Sequence, residues 1–270
     1  MDLQAYLDRI GFEGEPRPDL ATLRALHRAH LLAIPYENLD VQLGRPVTID
    51  PAAAFDKIVT RRRGGWCYEM NGLFGAVLQE IGFKVTRLAG GVHRKVRGDD
   101  AVGNHLVLLV DLDGPWIADV GFGDGIRDPL PLREGVHSAA GYDFLLERLD
   151  GDWWRMHNHP LGGAPNFDFT LEPADSALMS AKCHELQTSP ASIFVMTAIC
   201  QRHTPDELLL LRGRALRRVR PGRKHDSLLA SADELVACLA DDFGLDLPEV
   251  AALWPRICAR HGELFAGEAA

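Results

Sequence analysis

Arg63-Gly64-Gly65-Trp66-Cys67-Tyr68-Glu69-Met70-Asn71-Gly72-Leu73-Phe74 places one cysteine directly after a Gly-Gly pair and directly before a helical pattern. Beyond it Leu73, Phe74, Val77, Leu78 and Ile81 recur at helical spacing, and Gly82 ends the run. The spacing predicts Cys67 in the first turn of a buried helix, where free N–H groups and the macrodipole favour an anion. Such a position lowers a thiol pKa and supplies thiolate near neutral pH. The two glycines are expected to let the chain turn sharply and to let a substrate approach the backbone. The competing reading is an inert core thiol, since free cysteine is usually buried packing. A base and an orienting group elsewhere in the chain would decide between them.

Upstream of this stretch the chain reads as helical. A short helix near Leu3 to Ile10 ends at Gly11, and Asp19 offers an N-cap for a helix carrying Leu20, Leu23, Leu26 and Ala29/His30. Asp50-Pro51 opens another, with Ala54, Phe55, Ile58 and Val59 on one face. Residues 1–83 are therefore expected to form a helical bundle of about four members that carries the cysteine. After Gly82 the segments are short and rich in β-branched and aromatic residues: Phe83 to Leu88, His105 to Leu112, Trp116 to Val120, Tyr142 to Leu149, Trp153 to His157 and Phe167 to Leu171. Gly90-Gly91, Asp113-Gly114, Gly121 to Gly125 and Asp150-Gly151 read as turns between them. Residues 84–188 are expected to be an antiparallel sheet or small barrel, and 189–270 a mixture of helices and short strands. The fold class is α+β.

Composition narrows the function classes. The 270 residues carry a formal net charge of -9, with 46% hydrophobic and 25% charged residues, as in an ordinary soluble protein. That charge gives no support for nucleic-acid or anionic-membrane partners. Positive charge concentrates at Arg61-Arg62-Arg63 and from Arg212 to Lys224, runs that are most simply solvated faces. No stretch approaches the ~18 apolar residues of a membrane span, and the N-terminus lacks a basic, then apolar, signal pattern. Five scattered cysteines without a CxxC pair read as reduced thiols in a cytoplasm, with no metal site expected.

The sheet region supplies a base. His105 stands at the mouth of the apolar strand Leu106 to Val110, and Asp119 near the end of the next, with Asp113-Gly114 joining the two as a hairpin. The pair can therefore lie side by side. An ionised Asp in apolar company is costly unless hydrogen-bonded, and an imidazole N–H both removes that cost and fixes the His tautomer. In triad logic Cys67 attacks, His105 takes its proton and Asp119 orients His105. His27/His30 and His157/His159 share faces but lack a third ligand at metal spacing. Gly121-Phe122-Gly123-Asp124-Gly125 lacks the Lys-Ser/Thr of a phosphate loop and reads as a flexible wall beside Asp119.

Taken together, the cysteine block, Ile34-Pro35-Tyr36-Glu37-Asn38-Leu39, Asn104-His105, Asp119-Val120-Gly121-Phe122-Gly123, Ser189 to Val195 and Thr204-Pro205-Asp206 resemble the arylamine N-acetyltransferases in their compact bacterial form. The resemblance runs from about residue 5 to residue 245. It implies a helical bundle, a central β-barrel and a C-terminal α/β lid around a core like that of cysteine proteases and transglutaminases. It also implies ping-pong acetyl transfer from acetyl-CoA through Cys67, with His105 and Asp119, to an arylamine, arylhydrazine or N-hydroxyarylamine. Tyr36, Tyr68, Phe122 and Phe194 match positions that line the acceptor site, while Arg63, Glu69 and Asn71 are expected to be structural. A monomer or weak homo-oligomer is expected. Three other readings stand beside this one: an amide synthase taking an acyl chain from a carrier protein, a cysteine hydrolase or transglutaminase-like enzyme, and a non-catalytic binding protein.

Overall fold

In the computed structural model, which describes residues 1–265, the chain begins with capped helices. Helix α1 (Leu3–Ile10) opens on Asp2, whose carboxylate accepts from the Ala5 N–H, and stops at Gly11 in the left-handed region (φ 66°). Asp19 opens α2 (Leu20–Ala33) in the same way. After β1 (Tyr36–Glu37) and the short α3 (Leu39–Gln42), Asp50 caps α4 (Pro51–Phe55) with proline at the first position. The sequence pattern predicts one helix through Val59. The structure instead widens it into a π-helical turn at Asp56–Thr60, which carries Lys57 inward to 3.0 Å from Asp40 and 3.0 Å from Glu69. Helix α5 (Cys67–Ile81) follows, with Cys67 its first residue and left-handed Gly82 its stop.

The second layer is an eight-stranded antiparallel sheet curled into a nearly closed barrel. It contains β2 (Lys84–Val92), then, beyond the short α6 (Arg94–Arg97), β3 (His105–Leu112), β4 (Gly114–Ala118), β5 (Leu130–Pro131), β6 (Gly135–Ala139), β7 (Tyr142–Arg148), β8 (Trp154–His157) and β9 (Asn166–Pro173). The Asp113-Gly114 and Asp150-Gly151 turns lie where the sequence puts them, closing β3 on β4 and β7 on β8. Gly90-Gly91 is no turn. Both lie inside β2, where a Cβ on Gly90 would come within 3.0 Å of Val107 Cγ2, and the register against β9 shifts beside it.

A helix also stands where the sequence suggests only sheet. Helix α7 (Ser176–Thr188) is capped by Asp175 and buries one narrow stripe, Met179, Cys183 and Leu186. So little apolar periodicity gives a weak sequence signal. The C-terminal layer holds α8 (Ile193–Met196), β10 (Ile199–His203), β11 (Leu208–Arg212), β12 (Ala215–Arg220), β13 (Arg223–Leu228), α9 (Ala232–Asp241) and α10 (Trp254–Phe265). Its sheet runs β1-β10-β11-β12-β13, so the N-terminal region contributes an edge strand to the lid. Tyr6, Leu23, Leu26, Phe74 and Val77 share one core with Leu108, Val110 and Val120, which seats the helices directly on the barrel. Among the described residues no helix is long and apolar enough to cross a membrane.

Candidate active site

Cys67 sits at the junction of all three layers and is 3% exposed. Its sulfur lies 3.9 Å from the Asn104 carbonyl oxygen, at the mouth of β3. Gly121 packs so closely that a Cβ there would stand 2.9 Å from Cys67 Cα and 2.7 Å from Asn71 Nδ2. The Gly64-Gly65 pair has the same use rather than the substrate approach expected of it. A Cβ on Gly64 would strike the Pro35 carbonyl, and one on Gly65 would lie 2.8 Å from Glu69 Cβ.

Electrostatics at the sulfur differ from expectation too. Burial pushes the Cys67 thiol up, and the Leu106 and Tyr68 N–H groups offset that only in part. Being at a helix start is therefore not enough to make thiolate, and the proton needs a base.

His105 is that base by position. On the β3–β4 register, in which Leu108 faces Ala118, Asp119 falls diagonally from His105 on the same face. His105 Nε2 lies 2.7 Å from Asp119 Oδ2, with both residues 2% exposed. The other oxygen, Oδ1, accepts from Asn71 Nδ2 at 2.7 Å and from the Gly121 N–H at 2.9 Å. Burial opposes the charge on Asp119, yet His105, Asn71 and Gly121 hold its carboxyl below the ordinary range. With Nε2 committed to a carboxylate, Nδ1 is the nitrogen free to take a proton. Phe122 and Phe167 hold the ring at centroid distances of 5.2 and 4.9 Å.

Asn71, expected to be structural, touches the orienting carboxylate directly. It also donates to Leu106 O and accepts from the Val120 N–H, pinning α5 to both strands of the hairpin. His27, dismissed as a metal ligand, donates from Nδ1 to Arg127 O and accepts from the Asp119 N–H at Nε2. Burial pushes its pKa down and keeps it the neutral acceptor this requires.

Beneath the helix start lies a buried ionic cluster. Lys57 and Arg63 face Glu37, Asp40 and Glu69, with Arg63 2.7 Å from Glu37 and 3.2 Å from Asp40. Glu69 Oε2 accepts both Lys57 Nζ and the Trp66 N–H, the helix-side half of a capping box. Arg45, 45% exposed, adds a third cation 3.6 Å from Asp40, so carboxyls and cations balance in number. Burial pushes Glu69 up to about 7 despite Lys57.

Cys67 and His105 open onto a cavity of about 1050 Å³ that runs between barrel and lid. Tyr36, Phe122 and Phe194 line it. Tyr68 does not: it is 1% exposed, packs edge-on to Trp66 and donates its hydroxyl to Gly103 O at 2.6 Å. Asp124 also lines the cavity, raised to about 6 by burial while it accepts from the Gly163 N–H and Asn158. These contacts have no sequence signal, because the partners lie in a distant loop. No group of three or more His, Cys, Asp and Glu among the described residues is placed to hold a metal.

A sequence model of the N-acetyltransferase family matches residues 19–252. Arylamine N-acetyltransferase of Mycolicibacterium smegmatis is 40% identical over 260 residues, covering 93% of this chain and 94% of that one. Human arylamine N-acetyltransferase 1 is 30% identical, with 98% and 99% coverage. The solved structure of the Mycobacterium marinum enzyme in complex with CoA superposes with a TM-score of 0.86 at 36% identity, over 96% of this chain and 98% of that one. With cysteine, histidine and aspartate brought to one cavity on this same three-layer frame, the chain belongs to the bacterial arylamine N-acetyltransferase family.

Proposed function

We propose that the protein transfers an acetyl group from acetyl-CoA to an arylamine or arylhydrazine through an acetyl-Cys67 intermediate. The observation that carries this reading is the 2.7 Å His105–Asp119 pair set beside a cysteine at the wall of a large, partly apolar cavity. His105 Nδ1 takes the Cys67 proton and Asp119 stabilises the imidazolium that forms. The thiolate attacks the thioester carbonyl, the C–S bond to CoA breaks, and His105 returns its proton to the departing thiolate. An amine then attacks acetyl-Cys67 while His105 accepts its proton, and the cysteine leaves with that proton restored. Burial suits this sequence of steps. It raises the thiol and so makes sulfur a proton-dependent nucleophile, and it keeps bulk water from the acyl-enzyme.

Tyr36, Phe122 and Phe194 are assigned to the wall against which the aromatic acceptor packs. Tyr68 is assigned to holding the Asn104–His105 turn through Gly103 rather than to substrate. The test is intact-protein mass after mixing with acetyl-CoA without an amine, beside Cys67→Ala. One added acetyl in the wild type alone, discharged by an arylamine, is the expected result. No adduct would move the reading to another acyl donor, a carrier-bound chain first. An adduct that decays as fast without amine as with it would mean hydrolysis.

A further inference from the structure

Beside the catalytic cavity lies a second pocket of about 210 Å³ between α10, the β11–β12 turn and the α8–β10 connection. Arg212, Arg256, Arg260 and His261 line it, and among the described residues no aspartate or glutamate does. In a chain of net charge -9 that is a local reversal of sign. Four arginines of the basic run from Arg212 to Lys224 are consumed, and Arg223 and Lys224 stand exposed on β13. Arg214 donates to Leu229 O, Arg217 pairs with Asp226, Arg218 with Glu207 and Asp242, and Arg220 with Glu207. Arg212 is exposed and without a side-chain partner among the described residues, and it is the one arginine of the run that lines the pocket.

Two further polar groups of the same pocket are buried and without a hydrogen-bond partner among the described residues, Thr197 Oγ1 and Arg260 Nε. Thr197 is 3% exposed and lines the pocket. Buried donors without partners are rare in folded proteins, and an ordered water or a bound ion is among the things that account for them. Arg256 spends one amino group on Gln42, and Arg260 one on Glu263, so each keeps further N–H donors.

We propose that this pocket binds a phosphoryl group. Several guanidinium donors and a hydroxyl converging on a small volume suit a tetrahedral dianion with three acceptor oxygens better than a planar carboxylate with two. The phosphoryl group has two possible sources. Met196, Arg212, Ala215 and His261 line both this pocket and the catalytic cavity, so a phosphate of the acyl donor can reach it. A free phosphate or phosphorylated small molecule can fill it independently. Only the donor source rests on the acetyl-CoA reading above.

Calorimetric titration of the full chain with inorganic phosphate, and separately with CoA, tests the proposal in the wild type, Arg212→Gln and Arg223→Gln. Arg212 is exposed and unpaired, so its replacement does not threaten folding, and Arg223 is an exposed control on β13. Phosphate is expected to bind the wild type and Arg223→Gln alike and Arg212→Gln about tenfold more weakly, the usual worth of one charge-assisted hydrogen bond. A parallel loss of CoA affinity in Arg212→Gln assigns the group to the donor, and unchanged CoA affinity assigns it to a free anion. The proposal is overturned if phosphate fails to bind at millimolar concentration, binds Arg212→Gln as well as wild type, or weakens equally in Arg223→Gln. Because phosphate titration involves no acyl transfer, those failures would leave the acetyltransferase reading intact.

Discussion

Asp119 shows how much chemistry hangs on one side chain. One oxygen fixes the His105 tautomer, while the other is held by Asn71 and the Gly121 N–H. In Asp119→Asn the carbonyl oxygen satisfies those two donors and the amide turns an N–H toward His105 Nε2. The ring proton must then move to Nδ1, and the base is lost. We expect native-like circular dichroism and a fall in single-turnover acetylation of Cys67 by about 10³–10⁴-fold. Turnover near the wild-type rate would show that Asp119 is not the orienting group. Because burial raises the Cys67 thiol, its reactivity is owed to His105. Cys67 should alkylate faster than the other four cysteines near neutral pH, and His105→Ala should move that rate's rise to higher pH. Equal labelling of all five, or an unmoved profile, contradicts this. The triad was legible because each member stands at the start or end of an apolar element and because the motifs around all three resemble one family. Asn71 and His27 were not, since their bonds to residue 119 span 48 and 92 positions.

At the scale of elements, what could be read was local. Caps at Asp19 and Asp50, stops at Gly11 and Gly82, and the two tight hairpins are decided within a few residues, and all stand as read. Gly90-Gly91 misleads because close approach of Val107 and a bulge need glycine as much as a turn does. The π turn is equally silent in sequence, since the acids that receive Lys57 come from three other segments. That cluster makes a pH prediction. Glu69 is raised by burial from its ordinary 4.5 to about 7, so the fold holds its proton more tightly than the unfolded chain does. Its contribution to stability is complete below about 4.5 and is lost as pH rises through about 7. Glu69→Gln removes this titration and keeps an acceptor for the Trp66 N–H. Its unfolding free energy relative to wild type, from urea curves, should therefore increase across that window and then level. A difference constant with pH would show that Glu69 does not titrate in this window.

For the whole molecule, the site exists only where three layers meet, and Asn38 is the fastener of one seam. Its Nδ2 donates to Phe194 O and Thr197 O, both at 2.9 Å, and its Oδ1 accepts from the Ile199 N–H at 2.8 Å. Gln42 adds bonds to Phe194 O and Val195 O. The segment so held carries Phe194 on the cavity wall and Thr197 in the arginine-lined pocket, although 156 residues separate Asn38 from Phe194. The sequence offers Ile34 to Leu39 as a motif but not its purpose, because the groups it satisfies are backbone atoms of the lid. Asn38→Ala leaves two main-chain groups, Thr197 O and the Ile199 N–H, without the side-chain partner they have now, at about 1–3 kcal/mol each where water cannot replace it, while Phe194 O keeps Gln42. We expect a loss of roughly 3 kcal/mol in urea denaturation, with faster proteolysis between residues 189 and 197 than elsewhere. The acetyl-CoA half-reaction should slow less than amine transfer, because Cys67, His105 and Asp119 stay fixed by Asn71 while the Phe194 wall loosens. Equal slowing of both half-reactions would mean that the seam supports the catalytic residues themselves. Unchanged stability would mean that the lid is held by its apolar core around Leu209, Leu239 and Phe243 alone.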